Sequence, residues 1–101
     1  RPPLLDLWQW SETAFLKHTE GSPIRRIGYQ RWRRNLAVAL GNGPASRDAM
    51  AALQQALPGA EPMVAEHIEW ALATLAVRQE KENKKTRLLI RCIEKGLPEH
   101  A

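Results

Sequence analysis

The sequence predicts an all-α fold built from a helical repeat. Three observations carry that prediction. Apolar residues recur at helical spacing in four successive stretches, with a fifth that is amphipathic and highly charged. Ser, Pro and Gly fall where helices start and stop. No stretch alternates apolar and polar residues as a half-buried strand does.

The elements follow in order. Residues 1–10 form an apolar lead-in with Leu4, Leu5, Leu7, Trp8 and Trp10, read as a short helix or a strap over the core. Ser11 is a good N-cap for a first full helix, because its hydroxyl can accept from a free backbone N–H. Trp10 and Phe15 bracket that cap as a hydrophobic staple. Gly21 can end the helix in the left-handed conformation. A second helix is expected from Ser22-Pro23, with Pro at the first position where its missing N–H costs nothing. Its apolar face holds Ile24, Ile27, Trp32, Leu36, Ala39 and Leu40, and Gly41-Asn42-Gly43-Pro44 stops it. Gly28 can bend or split it. A third helix starts at Ser46, carries Met50, Leu53 and Leu57, and ends at Pro58-Gly59. A fourth runs from Pro62 with Val64, Ile68, Ala71, Leu72 and Leu75 as its stripe. The nearly all-polar stretch Arg78–Lys85 reads as a solvated helix end or a loop. A last helix, Thr86 to Lys95, is expected to turn Leu89, Ile90 and Ile93 inward, before Gly96 and Pro98 and a tail reaching residue 101.

One internal similarity organises these pieces. Leu36, Val38, Ala39 and Leu40 stand 32 residues before Ile68, Trp70, Ala71 and Leu72. Helix, short turn and helix at this period is how HEAT-like α-solenoids are written. The fold class is therefore all-α, a HEAT-like bundle of about five helices, with residues 1–101 as one domain.

Composition bounds the chemistry. The chain has 101 residues, 44% hydrophobic and 26% charged, an ordinary globular balance. No apolar run approaches the ~20 residues of a membrane span, and residues 1–6 lack a signal-peptide core. A single cysteine, Cys92, excludes a disulfide framework and a multi-thiolate metal cluster within these residues, and reads as a small core residue. His67, beside Glu66 and Glu69, has no second His four residues away, so no zinc-protease pattern exists. There is no glycine-rich phosphate loop. No catalytic or metal-binding residue is assigned, and the chain by itself is read as a non-enzyme.

The charge map is more informative. Fifteen Lys and Arg stand against eleven Asp and Glu, a net charge of +4. From Gly21 to Arg47 there are six arginines (Arg25, Arg26, Arg31, Arg33, Arg34 and Arg47) and no acid. A guanidinium forks onto phosphate oxygens with two hydrogen bonds, so this segment reads as a phosphate-gripping face. The helix start at Ser22-Pro23 offers further N–H groups. Tyr29, among the arginines, is the candidate for stacking on a base. Trp32 and Trp70 read as core. A second basic group, Arg78, Lys81, Lys84, Lys85, Arg87, Arg91 and Lys95, is interleaved with Glu80, Glu82 and Glu94. From it Lys84, Lys85 and Arg87 join the candidate RNA-binding set. The competing readings are a solvated surface, a protein-docking module, a HEAT-like glycosylase using Glu66 or Glu69 beside Trp70, and a helix-turn-helix around Tyr29 to Leu40.

Beyond pattern, the run Thr19-Glu20-Gly21-Ser22-Pro23-Ile24-Arg25-Arg26-Ile27-Gly28-Tyr29 resembles the C-terminal part of the epoxyqueuosine reductases. So do Arg34-Asn35-Leu36-Ala37-Val38-Ala39-Leu40-Gly41-Asn42, Glu66-His67-Ile68-Glu69-Trp70-Ala71-Leu72 and the ending Arg91-Cys92-Ile93-Glu94-Lys95-Gly96-Leu97-Pro98. The resemblance implies a cytoplasmic tRNA-modification enzyme that reduces epoxyqueuosine to queuosine at the anticodon wobble position, with cobalamin and two 4Fe–4S clusters. It implies that the matching part is a HEAT-like domain helping to hold the tRNA anticodon stem-loop. It also implies that the family's N-terminal catalytic domains are this part's neighbours. Two 4Fe–4S clusters take four thiolates each and this sequence has one, so the resemblance transfers no cofactor site and no catalytic residue to it.

Overall fold

The computed structural model describes residues 3–96, and within them every regular element is helical. The order is α1 (Leu4–Trp8), α2 (Glu12–His18), a 3-10 helix (Pro23–Ile27), α3 (Tyr29–Gly41), α4 (Arg47–Ala56), a 3-10 turn (Leu57–Gly59) and α5 (Pro62–Glu94). The residues after Gly96, including Pro98, lie outside the described residues.

The caps sit where the sequence puts them. The Ser11 hydroxyl accepts from the Ala14 N–H at 3.1 Å and that of Ser46 from the Ala49 N–H at 3.1 Å. The Ser22 hydroxyl accepts from the Ile24 N–H at 3.2 Å. The lead-in is a short helix, and Pro62 opens α5.

Gly28 does split the expected second helix. Its φ of +84° with ψ of +156° is a conformation that L side chains rarely adopt, so the 3-10 helix ends there and α3 begins. The split removes Ile24 and Ile27 from the apolar face assigned to them, and both are exposed. In α3 the buried residues are Trp32, Leu36, Ala37, Leu40 and Gly41, so Ala37 rather than Ala39 faces inward.

α3 and α5 run side by side in the same direction. Tyr29 and Gln30 lie by Glu61 and Val64, Val38 lies by Glu66, His67 and Trp70, and Gly41 sits against Trp70 and Ala71. α4 carries the chain back between them, its end returning beside Tyr29 and Arg33. The 32-residue similarity thus has a physical meaning at its start: Trp32 and Val64, and Leu36 and Ile68, are buried at matching levels of two parallel helices. One cluster holds the buried residues, with Trp8 from α1, Phe15 from α2, Ala49 and Leu53 from α4, and Val64, Ile68, Ala71 and Leu75 from α5. An aromatic stack closes its open end. Trp10, Phe15 and Tyr29 gather on Trp32, with ring centroids 5.3, 4.9 and 6.1 Å away.

The largest departure from the sequence reading is in α5. It is one helix of 33 residues, so Arg78–Lys85 is solvated helix rather than a loop, and the helix runs on past it instead of ending there. At 1.5 Å per residue it is about 50 Å long, and the molecule is correspondingly elongated, 62 × 28 × 16 Å. Leu75 is its last buried residue; from Gln79 to Glu94 every residue is exposed. Leu89, Ile90 and Ile93 therefore do not turn inward, and Cys92 is exposed rather than in the core. The bundle ends one turn beyond Gly41, and nothing among the described residues reaches the distal half of α5.

Candidate nucleic-acid interface

The structure divides the arginines of the Gly21–Arg47 segment into two kinds. Arg33 is a structural residue. It points along the side of α3 that faces α1, donates to the Trp8 carbonyl, and lays its guanidinium over the Trp8 ring, 3.6 Å from the centroid. The Tyr29 ring lies on its other side at 5.8 Å. Burial holds its pKa below the ordinary arginine value, and the nearby Tyr29 offsets part of that shift; an arginine stays charged regardless.

The other kind is free. Arg25, Arg26, Arg31 and Arg47 are exposed and Arg34 is half-buried. None of them forms an ion pair among the described residues, where one such pair exists, Arg87 with Glu80 at 3.4 Å on the exposed part of α5. Arg34 donates from Nε and Nη2 to Asn35 Oδ1 at 3.3 and 3.2 Å, which orients its fork at the surface without neutralising it. Arg25 and Arg26 line a shallow open groove with Gly21, Ser22 and Pro23. The N–H groups expected to help there are fewer than the sequence suggests. The element is a 3-10 helix of five residues, and the Ser22 hydroxyl already takes the Ile24 N–H.

Tyr29, the stacking candidate, is partly buried and already has partners. Its hydroxyl donates to the Trp10 carbonyl at 2.6 Å and its ring is engaged with Phe15 and Trp32. Trp70, read as core, is the aromatic residue that reaches the surface. It is 43% exposed, in an apolar recess with Val38, Glu66 and His67. The signal that could have found it lies in Gly41: a Cβ there would meet Trp70 at 2.7 Å and Ala71 at 3.0 Å. The Trp70 ring lies over Gly41, in the space that a larger residue there would fill.

Lys84, Lys85 and Arg87 stand on the distal part of α5. Val64 is level with the start of α3, and Lys84 comes 20 residues later, about 30 Å along the axis. The two basic groups therefore do not converge on one pocket. Arg78 belongs to neither. It donates to the carbonyls of Gly41 (3.1 Å) and Gly43, satisfying the end of α3.

The single cysteine is exposed, and among the described residues no three His, Cys, Asp or Glu side chains gather as metal ligands. One cysteine cannot supply the eight thiolates that two 4Fe–4S clusters take. No helix among the described residues is long and apolar enough to cross a membrane.

No family model matches the chain, and no solved structure matches it. Curated relatives do match from end to end. The epoxyqueuosine reductase of Shewanella oneidensis is 56% identical over 104 residues, covering 100% of this chain and 26% of that protein. That of Escherichia coli is 49% identical over 105 residues, 99% of this chain and 27% of that protein. That of Vibrio cholerae is 48% identical over 98 residues, 97% of this chain and 26% of that protein. The chain thus spans about a quarter of the length of these relatives. Identity near one half from end to end makes this sequence a homologue of the epoxyqueuosine reductases, matching their C-terminal part.

Proposed function

We propose that this chain is the tRNA-binding, HEAT-like part of an epoxyqueuosine reductase, holding the anticodon stem-loop while the rest of the enzyme reduces epoxyqueuosine to queuosine. The observation that supports this reading is the set of unpaired guanidinium groups, Arg25, Arg26, Arg31, Arg34 and Arg47. Lys84, Lys85 and Arg87 add charge further along α5, about 30 Å from the level at which α3 starts, so an extended polyanion suits the surface better than a small ligand. Phosphate contacts of this kind give affinity without reading sequence. The reacting groups, the cobalamin and the clusters belong to the part of the relatives that this chain does not span, and the setting is cytoplasmic.

The test is fluorescence anisotropy of a labelled anticodon stem-loop titrated with the chain over a salt series. Binding should weaken as salt rises, because each neutralised phosphate releases counterions. A variant with Arg25, Arg26, Arg31 and Arg34 all changed to Gln should lose at least tenfold in affinity and show a flatter salt slope. Arg33 is left intact in that variant, since it holds Trp8. Unchanged affinity in a variant that retains its melting temperature would refute the proposal.

A further inference from the structure

The distal half of α5 carries an apolar face that the bundle does not use. Leu88, Leu89, Ile90 and Ile93 are 58%, 57%, 47% and 58% exposed, and Cys92 is exposed with them. At 100° per residue these five side chains share one broad arc of the helix. Lys84, Arg87, Arg91, Glu94 and Lys95 occupy the remaining arc. An amphipathic helix with nothing among the described residues against its apolar side needs a partner. The basic arc suits water or a polyanion; the apolar arc suits neither.

The size of the face selects the partner. A stable interface between separate molecules engages about 20–30 residues a side, whereas this face offers five. Two free copies pairing through it would fall far short. A body joined covalently is different, because tethering supplies effective concentrations in the mM range and a small patch then suffices. The homologous reductases are about four times as long as the span matched here, with 104 residues making up 26% of the Shewanella oneidensis protein. We infer that the apolar arc of Leu88, Leu89, Ile90, Cys92 and Ile93 docks on the remaining three quarters of the reductase polypeptide, locking this part to its catalytic body. The arc of Lys84, Arg87 and Arg91 then faces outward beside that junction.

The experiment compares amide hydrogen exchange over residues 84–94 in two settings. One is this chain alone. The other is a hybrid in which this chain replaces its homologous quarter of the Shewanella oneidensis reductase. In the isolated chain these amides should exchange at least tenfold faster than those of Val64–Leu75. In the hybrid they should slow at least tenfold. Changing Leu89→Glu with Ile93→Glu in the hybrid should restore fast exchange over 84–94 and leave Val64–Leu75 unchanged, which shows that the bundle is still folded. The natural Shewanella oneidensis enzyme, followed over its homologous segment, gives the same comparison without a graft. Equal exchange in the isolated and hybrid settings overturns the inference. So does slowing that grows with concentration of the isolated chain, which indicates self-association, or slowing that requires added stem-loop RNA.

Discussion

Removing the Arg33 guanidinium tests whether this arginine belongs to the core or to the proposed RNA-binding set. Arg33→Ala deletes a charge-assisted hydrogen bond to the Trp8 carbonyl and a cation sitting 3.6 Å above the Trp8 ring. A hydrogen bond from a charged donor contributes about 1.5–3 kcal/mol, and a cation–π contact about 0.5–2 kcal/mol as it becomes desolvated. Arg33 is half-buried, so the lower part of each range applies, and the loss is about 2–3 kcal/mol. For a domain of this size 1 kcal/mol moves the melting temperature by about 4–8 °C, so the shift should be on the order of 10–20 °C. Arg33→Lys keeps a charge over the ring but loses the planar fork, and should fall between. Arg31→Ala, at an exposed site on the same helix, should stay within about 0.5 kcal/mol of the parent. The assay is thermal and urea unfolding followed by circular dichroism, with tryptophan fluorescence reporting on Trp8. If Arg33→Ala costs no more than Arg31→Ala, the assignment of Arg33 to the core is wrong and it returns to the proposed RNA-binding set.

The same unfolding assay checks the other expectations. Gly41→Ala gains about 1 kcal/mol of helix propensity but drives a Cβ to 3.0 Å from the Ala71 Cα, which cannot swing aside as Trp70 can; overpacking of this kind costs about 1–3 kcal/mol, so the net change should be destabilising, and a raised melting temperature would contradict it. Gly28→Ala meets no atom within 4 Å, yet its φ of +84° should cost about 1–3 kcal/mol from the backbone alone; a neutral result would show that the α3 start relaxes. Leu53→Ala, at a fully buried position in α4, should lose about 2–5 kcal/mol. Ser46→Ala should lose about 1 kcal/mol through the freed Ala49 N–H.

Local signals were the legible part. Ser11, Ser22, Ser46, Pro62 and Gly28 each act through atoms within a few residues of themselves, and each does what its type implies. What failed was inference about what a periodic face meets. Leu89, Ile90 and Ile93 have the spacing of an inward stripe, but spacing does not say whether a partner helix is there. Arg78–Lys85 left a solvated helix end and a loop open, because a solvated helix and a polar loop have the same composition. The surroundings of Trp70 and Tyr29 are set by tertiary contacts: Tyr29 has the Trp10 carbonyl within reach of its hydroxyl, while the Trp70 indole lies over Gly41 and is 43% exposed. Arg33 could not be told from Arg31 or Arg34 by charge; only the location of Trp8 distinguishes it.

The parallel arrangement of α3 and α5 ties these observations together. Because the two helices run in the same direction, the end of α3 at Gly41 fixes the level at which α5 leaves the bundle. Arg78 marks that level by donating to the Gly41 and Gly43 carbonyls. Every residue of α5 past it has lost α3 as a neighbour, which is why the apolar arc near Leu89 is bare. The free arginines of the Gly21–Arg47 segment lie at and before that level, and the amphipathic half of α5 lies beyond it. A polyanion bridging the two groups would run along the bundle and reach the apolar arc's flank. Neutralising Lys84 and Arg87 should therefore weaken stem-loop binding less in the isolated chain, where this half of α5 is unsupported, than in the hybrid, where docking holds it in place. Equal losses in the two settings would show that the helix needs no support to present its charges.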